Sequence, residues 1–263
     1  MNRRFMKPIR AALAVLLMPI FLTGAAVAAD RQKVRIATEG SYAPFNYVTP
    51  DGQLAGFDID IARAICAKED LDCSITAQDW DGIIPGLLAH KFDAIVASMS
   101  ITDERRKRVD FTEKYYQTPA RFVARKGAAL DFTKAGLKGK ILGAQRSTIH
   151  ANYLNDNYQD VADIRLYDTQ ENANLDLVSG RLDAVLADAT VLASGFLDKP
   201  EGKDFAFAGP ELKDPKWFGD GAGIAIRKGD DKLREVLNKG IEAIRADGTY
   251  DEINKKYFSF PIY

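Results

Sequence analysis

The chain has 263 residues, of which 46% are hydrophobic, 28% charged and 10% aromatic. This composition is typical of a globular protein with a sizeable core, and the balanced charge and plentiful aromatic residues exclude intrinsic disorder. The 20 glycines and 10 prolines show no period, which excludes a collagen-like fibre. The formal net charge of −1 gives the chain no overall excess of positive charge that would attract nucleic acid.

The N-terminal segment has the three regions of a secretory signal peptide. Four basic residues come first, at Arg3, Arg4, Lys7 and Arg10. An apolar run over residues 11–22 and a stretch of small residues over 25–29 follow. We predict that residues 1–29 are removed by cleavage after Ala28 or Ala29. The mature chain then keeps 32 basic residues against 37 acidic ones, a net charge of −5, which disfavours binding to DNA or anionic lipid.

Cys66 and Cys73 are the only cysteines in the sequence. Because export takes them to an oxidising compartment, we expect a disulfide bond between the end of one helix and the next strand. The spacing is not that of a Cys-x-x-Cys redox pair, and a metal site would need further ligands. The two histidines, His90 and His150, lie far apart in sequence, which leaves little material for a zinc site or a histidine-based triad.

Strand-like and helix-like segments alternate after residue 30, which predicts an α/β fold. The predicted strands cover residues 33–38, 74–77 and 92–97, and a hairpin over 46–56 turns at 50–52. The predicted helices cover residues 58–67, 80–90 and 231–258. Extended segments at 115–125 and 218–226 are candidate crossings between two lobes. The glycine-rich stretch 219–223 lacks the full dinucleotide-binding pattern and is expected to provide turns or close backbone approach.

An internal similarity indicates two lobes of related topology. Residues 91–100 and 181–190 share the pattern basic, apolar, Asp, Ala, apolar, apolar, Ala. In both copies the strand turns polar at its carboxyl end, at Ser98 and at Asp188. Open α/β sheets bind ligands beyond the carboxyl ends of their strands, so we expect these two residues to face one cleft from opposite sides. The alternative is that any helix–strand unit of an α/β protein shows such a pattern.

The segment that follows the first of these strands suits a carboxylate ligand. Ser98 and Ser100 lie at the strand end, beside a short helix that Thr102 is expected to cap. Arg105 would be the third residue of that helix. A guanidinium group beside hydroxyls and backbone N–H groups matches the geometry of a carboxylate. The alternative for Arg105 is a solvated surface side chain.

Four further residues are candidates for the same cleft. Asp188 could hold an ammonium group or cap the helix that follows it. Trp80 begins a helix between two acids and is either a core residue or a platform for a ligand. Glu39 and Tyr42 follow the first strand in a loop at the same edge of the sheet.

Several motifs together resemble the polar amino-acid solute-binding proteins (family 3) of bacterial ABC importers, above all the lysine/arginine/ornithine- and histidine-binding members. The motifs are Ser-Tyr-Ala-Pro-Phe (41–45), Gly-Phe-Asp-Ile-Asp (56–60), Ser-Met-Ser-Ile-Thr (98–102) and Asp-Gly-Thr-Tyr-Asp (247–251). The resemblance runs from about Val34 to Tyr263. It implies the type II periplasmic binding protein fold, in which hinge strands join two α/β lobes around a ligand cleft. Lobe 1 would comprise residues 30–118 and 219–263, and lobe 2 residues 119–218.

The resemblance also implies a role for each candidate residue. Residues expected to contact an amino-acid ligand are Arg105, Ser98 and Ser100 at the carboxylate, Asp188 at the ammonium, Tyr42 and Trp80 beside it, and Thr148 and His150 in a loop of the second lobe. The chain departs from the family at Glu39, Trp80, Ala97 and His150, where Asp, Phe, Ser and Gln are common. A buried carboxylate at Glu39 needs a partner, which favours a cationic side chain on the ligand.

We therefore expect a periplasmic component of an ABC importer that closes its hinge on arginine, lysine, ornithine or histidine, and that is not an enzyme. Its expected partners are the free amino acid and an inner-membrane permease, with no cofactor, no metal, no nucleic acid, no membrane insertion and a monomeric state.

Three competing interpretations stay open. The first changes only the ligand, to an opine such as octopine or nopaline, which Gln145, Thr148 and His150 could serve. The second is a cyclohexadienyl dehydratase-like enzyme on the same scaffold, with Glu39 or His150 as general acid or base. The third is a receptor that serves a membrane sensor.

Overall fold

Two five-stranded sheets form the centres of two lobes. The computed structural model describes Met1 and residues 31–263. Apart from Met1, the predicted signal peptide, residues 1–29, therefore lies outside the described residues.

The first sheet contains β1 (Lys33–Thr38), β5 (Asp72–Ala77), β6 (Ala94–Ile95), β7 (Val109–Tyr116) and β13 (Ala222–Arg227). Its strand order is β5-β1-β6-β13-β7. A small sheet beside it contains β2 (Ser41–Tyr42), β3 (Asn46–Val48) and β4 (Leu54–Ala55), and the last two form the predicted hairpin. The helices of this lobe are α1 (Phe57–Lys68), α2 (Trp80–Leu88), α3 (Asp103–Arg106), α8 (Asp231–Ala246) and α9 (Thr249–Tyr257).

The second sheet contains β8 (Ala120–Arg125), β9 (Ile141–Gln145), β10 (Asp163–Tyr167), β11 (Ala184–Asp188) and β12 (Phe205–Leu212). Its strand order is β10-β9-β11-β8-β12. Its α-helices are α4 (Ile149–Tyr158), α5 (Gln170–Val178), α6 (Ala189–Leu192) and α7 (Pro215–Phe218). A π-helical turn (Ala193–Leu197) and a 3₁₀ turn (Pro200–Gly202) follow α6.

The two sheets have the same pattern of pairing. In each, the first three strands are parallel and the last two are antiparallel to their neighbours. The third position is held by β6 in one sheet and by β11 in the other, and these are the strands of the sequence repeat. The repeat thus corresponds to two lobes of related topology.

The aspartate of the repeat has the same structural task in both lobes. Asp93 Oδ2 accepts a hydrogen bond from the backbone N–H of Arg35 at 3.0 Å. Asp183 Oδ2 accepts one from the backbone N–H of Ile141 at 2.8 Å. Each carboxylate therefore forms a hydrogen bond to the backbone near the start of the neighbouring parallel strand. The repeated aspartate has a structural role in the sheet and does not line the cleft.

Three predicted boundaries of helices or strands were wrong. Each lies where the backbone adopts a positive φ or where the hydrogen bonds between strands end. The helix predicted over residues 80–90 ends at Leu88, because His90 has a φ of 58° that a right-handed helix cannot include. The strand predicted over 92–97 is paired as a strand only at β6, and the chain turns at Ser98, which has a φ of 53°. The final helical stretch is two helices, α8 and α9, separated at Gly248 with a φ of 85°.

The chain passes between the sheets twice, and both predicted crossings need correction. The segment 115–125 is not one strand: β7 belongs to the first sheet and β8 to the second, with residues 117–119 between them. Pro119 in this gap has no N–H for a strand ladder. The second passage begins earlier than predicted, after β12 ends at Leu212, and most of 218–226 belongs to β13.

The glycines of the second passage allow close backbone approach, as predicted. Gly219 has a φ of 71°, and a Cβ there would lie 2.1 Å from the carbonyl oxygen of Ile101. Gly221 has a φ of 104°, and a Cβ there would lie 2.7 Å from the carbonyl oxygen of Tyr116. A larger residue at position 219 would push this passage away from Ile101, and one at position 221 would push it away from the end of β7.

The predicted disulfide bond is confirmed. Cys66 lies in the last turn of α1 and is bonded to Cys73 in β5. Around it, α1 buries Phe57, Ile61 and Ile65 against the first sheet. Within the described part of the chain, no helix has both the length and the apolar character that a membrane span needs.

Candidate functional site

The structure brings all nine predicted ligand residues to two adjoining cavities between the sheets. Eight of them line one cavity: Glu39, Tyr42, Trp80, Ser98, Ser100, Arg105, Thr148 and His150. Asp188 lines the neighbouring cavity, which also reaches Lys213. Tyr42, Ser98, Ser100 and His150 line both cavities, so the two cavities lie directly beside each other.

Arg105 is positioned by the short helix that the sequence predicted. Thr102 caps α3, and its Oγ1 accepts a hydrogen bond from the Arg105 backbone N–H at 3.3 Å. The guanidinium donates through Nη1 to the carbonyl oxygen of Ser100 at 3.0 Å and lies 5.3 Å from the centre of the Trp80 ring. Burial lowers the pKa of Arg105 to about 10, so the group keeps its charge at neutral pH. Several of its five N–H groups remain for an anion in the cavity.

Glu39 is a buried carboxylate at the end of β1. Gln145 Nε2, at the end of β9, donates to Glu39 Oε1 at 2.5 Å. The pKa of Glu39 is raised to about 7, chiefly by burial and in part by the nearby negative charges of Asp79 and Asp81, against the opposing hydrogen bond from Gln145. A cationic group in the cavity would stabilise the ionised form of Glu39.

Asp188 caps a helix, which is one of the two roles considered for it, and it also lines the cavity. Its Oδ1 accepts a hydrogen bond from the Thr190 backbone N–H at 2.9 Å and caps α6. The hydroxyls of Thr118 and Thr190 also donate to it. Burial raises the pKa of Asp188, and these hydrogen bonds oppose that effect. The carboxylate is thereby held in a fixed orientation at the cavity wall.

The two residues predicted from the loop of the second lobe differ in what they offer a ligand. Thr148 caps α4: its Oγ1 accepts from the Ala151 N–H at 3.1 Å and donates to the Gln145 carbonyl oxygen at 2.6 Å. Its hydroxyl proton is therefore already used inside the second lobe. His150 is buried, and burial together with the charge of Arg105 lowers its pKa to about 3. His150 is neutral near pH 7 and is poorly suited to protonate a substrate.

Sequence reasoning missed Asp58 as part of the site. This carboxylate is fully buried in α1 and accepts hydrogen bonds from Asn46, Tyr115 and Ser98. Its burial raises its pKa to about 6. The signal was present in the sequence, because an acid at position 58 lies on the same helical face as the apolar residues Ile61 and Ile65.

Three consecutive residues of the second lobe contact the first lobe across the mouth of the cavity. Gln145 binds Glu39, as described above. Arg146 forms ion pairs with Asp81 of α2 and, at 2.6 Å, with Asp168. The indole N–H of Trp80 donates to the carbonyl oxygen of Ser147 at 3.0 Å. The lobes are thus held together by polar contacts that would break if they moved apart.

The fold and the site define a two-lobed solute-binding protein. Both charged ends of a zwitterion have a counterpart, since Arg105 lies in one lobe and Asp188 in the other. Among residues 31–263 no group of three or more His, Cys, Asp or Glu side chains is arranged to hold a metal ion.

Comparison with known proteins identifies the family. Residues 34–260 match the bacterial extracellular solute-binding proteins, family 3, and the chain belongs to this family. It is 50% identical to the L-arginine-binding protein of Pseudomonas aeruginosa over 96% of this chain and 95% of that protein. It is 41% identical to the lysine/arginine/ornithine-binding periplasmic protein of Escherichia coli over 94% of this chain and 96% of the other.

The solved structures agree with the fold prediction. A periplasmic binding protein of Salmonella typhimurium, described as having high arginine specificity, superposes with a TM-score of 0.79 at 35% identity. The match covers 87% of this chain and all of that chain. The type II periplasmic binding protein fold is confirmed, and these relatives are named as binding proteins and not as enzymes.

Proposed function

We propose that this chain binds a free basic amino acid in the periplasm and delivers it to an inner-membrane ABC permease. The observation that carries the proposal is Glu39, a buried carboxylate in the cavity whose contact in the structure is a neutral amide. A buried carboxylate is stabilised far more by a cation than by an amide. The names of the relatives, which bind arginine, lysine, ornithine or histidine, support the same ligand class.

In the proposed complex the backbone of the amino acid spans the two lobes. Arg105, with Ser100 beside it, takes the α-carboxylate, because a guanidinium can donate two parallel hydrogen bonds to it. Asp188 takes the α-ammonium. The apolar stem of the side chain lies between Tyr42 and Trp80, and the cationic tail reaches Glu39. Thr148 and His150 contribute the wall of the second lobe.

Hinge closure is the proposed mechanism. Lobe 1, residues 30–118 and 219–263, supplies Glu39 and Arg105, whereas lobe 2, residues 119–218, supplies Asp188. A ligand can satisfy all three groups only when the lobes are closed, so binding shifts the population towards the closed state. The contacts of Gln145, Arg146 and Ser147 across the cavity mouth support this mechanism.

Residues 1–29 are proposed to act as a cleaved signal peptide, and the mature protein is proposed to be a monomer. We propose no catalytic step. The dehydratase-like alternative would need a general acid near neutral pH. His150 is poorly suited, because its pKa is about 3. Glu39, with a pKa of about 7, has a suitable pKa, so the relatives, which are named as binding proteins, are what argues against an enzyme.

An opine is the second candidate ligand. In such a compound the α-nitrogen, proposed to lie at Asp188, carries a carbon substituent that bears a second carboxylate. The cavity at Asp188 continues to Lys213, and this cation favours an added carboxylate there.

The test is isothermal titration calorimetry of the mature protein after unfolding and refolding to remove carried ligand. Arginine, lysine, ornithine and histidine are compared with citrulline, which replaces the cationic tail of arginine with a neutral urea, and with octopine. We expect arginine to bind at least about tenfold more tightly than citrulline, and Glu39→Gln to remove that difference. Equal affinity for citrulline, or unchanged preference in Glu39→Gln, would contradict the basic-ligand proposal. Tighter binding of octopine than of every free amino acid would keep the mechanism and replace the substrate.

A further inference from the structure

Ser98 is held from two sides by buried groups beneath the cavity. Its Oγ donates to Asp58 Oδ2 at 3.0 Å, and its backbone N–H donates to Tyr115 Oη at 3.1 Å. Tyr115 Oη in turn donates to Asp58 Oδ1 at 2.8 Å. Ser98 has a φ of 53°, which is uncommon for a residue other than glycine. Asp58 and Tyr115 therefore fix both the backbone and the side chain of a residue at the cavity wall.

The direction of the hydrogen bond from Ser98 follows from the surrounding network. Asn46 Oδ1 accepts from the Gly40 N–H at 2.8 Å, so its amide nitrogen faces Asp58 and donates to Oδ2 at 2.8 Å. Asp58 Oδ2 thus receives protons from both Asn46 and Ser98. A hydroxyl has a single proton, and the proton of Ser98 is committed to Asp58. Towards the cavity, Ser98 Oγ can only accept.

We propose that Asp58 is a positioning residue that holds Ser98 Oγ as a hydrogen-bond acceptor for a cationic N–H group of the ligand. This rests on the proposed function and revises the expectation from the sequence that Ser98 contacts the carboxylate of the ligand, because a carboxylate has no proton to donate to Ser98 Oγ. Two N–H groups of a basic amino acid fit this chemistry: the α-ammonium and the cationic tail. Ser98 lines both cavities, so it is exposed to each of these positions.

The test is calorimetry with three ligands on wild type, Ser98→Ala and Asp58→Asn. The ligands are arginine, 5-guanidinopentanoate (which lacks the α-ammonium) and citrulline (which lacks the tail charge). If Ser98 accepts from the α-ammonium, Ser98→Ala lowers the affinity for arginine and for citrulline by about tenfold. The affinity for 5-guanidinopentanoate then stays within about twofold of the wild-type value. If Ser98 accepts from the cationic tail, the affinities for arginine and 5-guanidinopentanoate fall and the affinity for citrulline does not. Either pattern supports an acceptor role.

Asp58 is expected to act through Ser98. Asp58→Asn should weaken the binding of the same ligands as Ser98→Ala does. The double variant should bind each ligand no more weakly than whichever single variant binds it less tightly. The matched control is Asp60→Asn on the same helix, where the carboxylate binds Tyr257 and Lys256 away from the cavity. This control should bind all three ligands as the wild type does.

Two results would overturn the inference while leaving the proposed function intact. One is an equal loss for all three ligands in Ser98→Ala, which is the pattern of a donor to the carboxylate that all three share. The other is additive loss in the double variant. If Asp58→Asn does not fold, as judged by its thermal melting, Tyr115→Phe replaces it, since the lost hydroxyl also holds Ser98. Failure of the wild type to bind any basic amino acid would instead overturn the proposed function itself.

Discussion

Gln145 Nε2 donates a hydrogen bond to Glu39 Oε1 at 2.5 Å. The two residues are 106 positions apart in the chain. The bond connects the end of β9 in the second sheet with the end of β1 in the first. It places the carboxylate that we propose for ligand specificity in direct contact with the closing lobe. Under the proposed function, ligand specificity and lobe closure are coupled at this hydrogen bond, because a cation that contacts Glu39 also alters the strength of its bond to Gln145.

Arginine affinity is expected to depend on pH through Glu39. The pKa of Glu39 is about 7 in the folded protein against an ordinary value of 4.5. Between these values the folded state binds more protons than the unfolded state, so the contribution of Glu39 to stability falls as pH rises. A cationic ligand favours the ionised form and displaces a proton. Affinity should therefore fall as pH drops below about 7, by at most about tenfold per pH unit.

The measurement is calorimetric titration with arginine from about pH 5 to about pH 8, a range that brackets the titration of Glu39, in buffers of different ionisation enthalpy. Glu39→Gln should abolish most of the pH dependence and the proton release. A pH dependence that is unchanged in this variant would assign the effect to another group, and Asp58, with a pKa of about 6, would be the next to test.

Arg105→Ala is expected to lower the affinity for arginine by at least about 30-fold, since truncating one partner of a buried charge pair costs roughly 2–5 kcal/mol. Arg105→Lys should recover only part of the loss, because an ammonium cannot make the paired hydrogen bonds of a guanidinium. Arg106→Ala is the control, as Arg106 is exposed on the same short helix. Wild-type affinity in Arg105→Ala would show that the carboxylate lies elsewhere.

Arg146→Ala is expected to speed ligand release by a few-fold. Its ion pair with Asp81 exists only while the lobes are in contact, and a half-exposed pair of this kind contributes about 0.2–1 kcal/mol. Stopped-flow kinetics measure the rate of ligand dissociation from the wild type and from the variant at low and high salt. The difference between the two rates should shrink in about 1 M salt, because salt screens the ion pair of the wild type. Arg165→Ala is the matched control, because Arg165 pairs with Asp163 inside the second lobe. An equal change in both variants would argue against a role in closure.

Removal of the disulfide bond by Cys66→Ser with Cys73→Ser is expected to lower the free energy of unfolding by about 2 kcal/mol and the Tm by about 4–8 °C. The estimate follows from the entropy of a loop closed by residues seven apart. Ligand affinity should stay within twofold, because neither cysteine lines the cavities. A large loss of affinity with an unchanged Tm would mean that the bond serves the cleft and not the fold.

Much of the architecture could be read from local patterns. The strand at 33–38, the hairpin and the helix that Thr102 caps were predicted correctly, because each depends on residues close together in sequence. The boundaries that were wrong, at His90, Ser98 and Gly248, lie where a backbone angle enters the left-handed region. No periodicity of side chains reports such an angle when the residue is not glycine, as at His90 and Ser98.

The sequence by itself determined the two-lobed α/β plan, the cysteine pair and the set of polar residues that end the strands facing the cavity. It did so because hydrophobic period, capping residues and spacing act over a few positions along the chain. Only the tertiary structure decided that Gln145 binds Glu39, that Asp58 lies under Ser98, and that the hydroxyl of Ser98 points its proton away from the cavity. These contacts join residues 40 or more positions apart, and they depend on how the packed elements approach one another, which local sequence pattern does not encode.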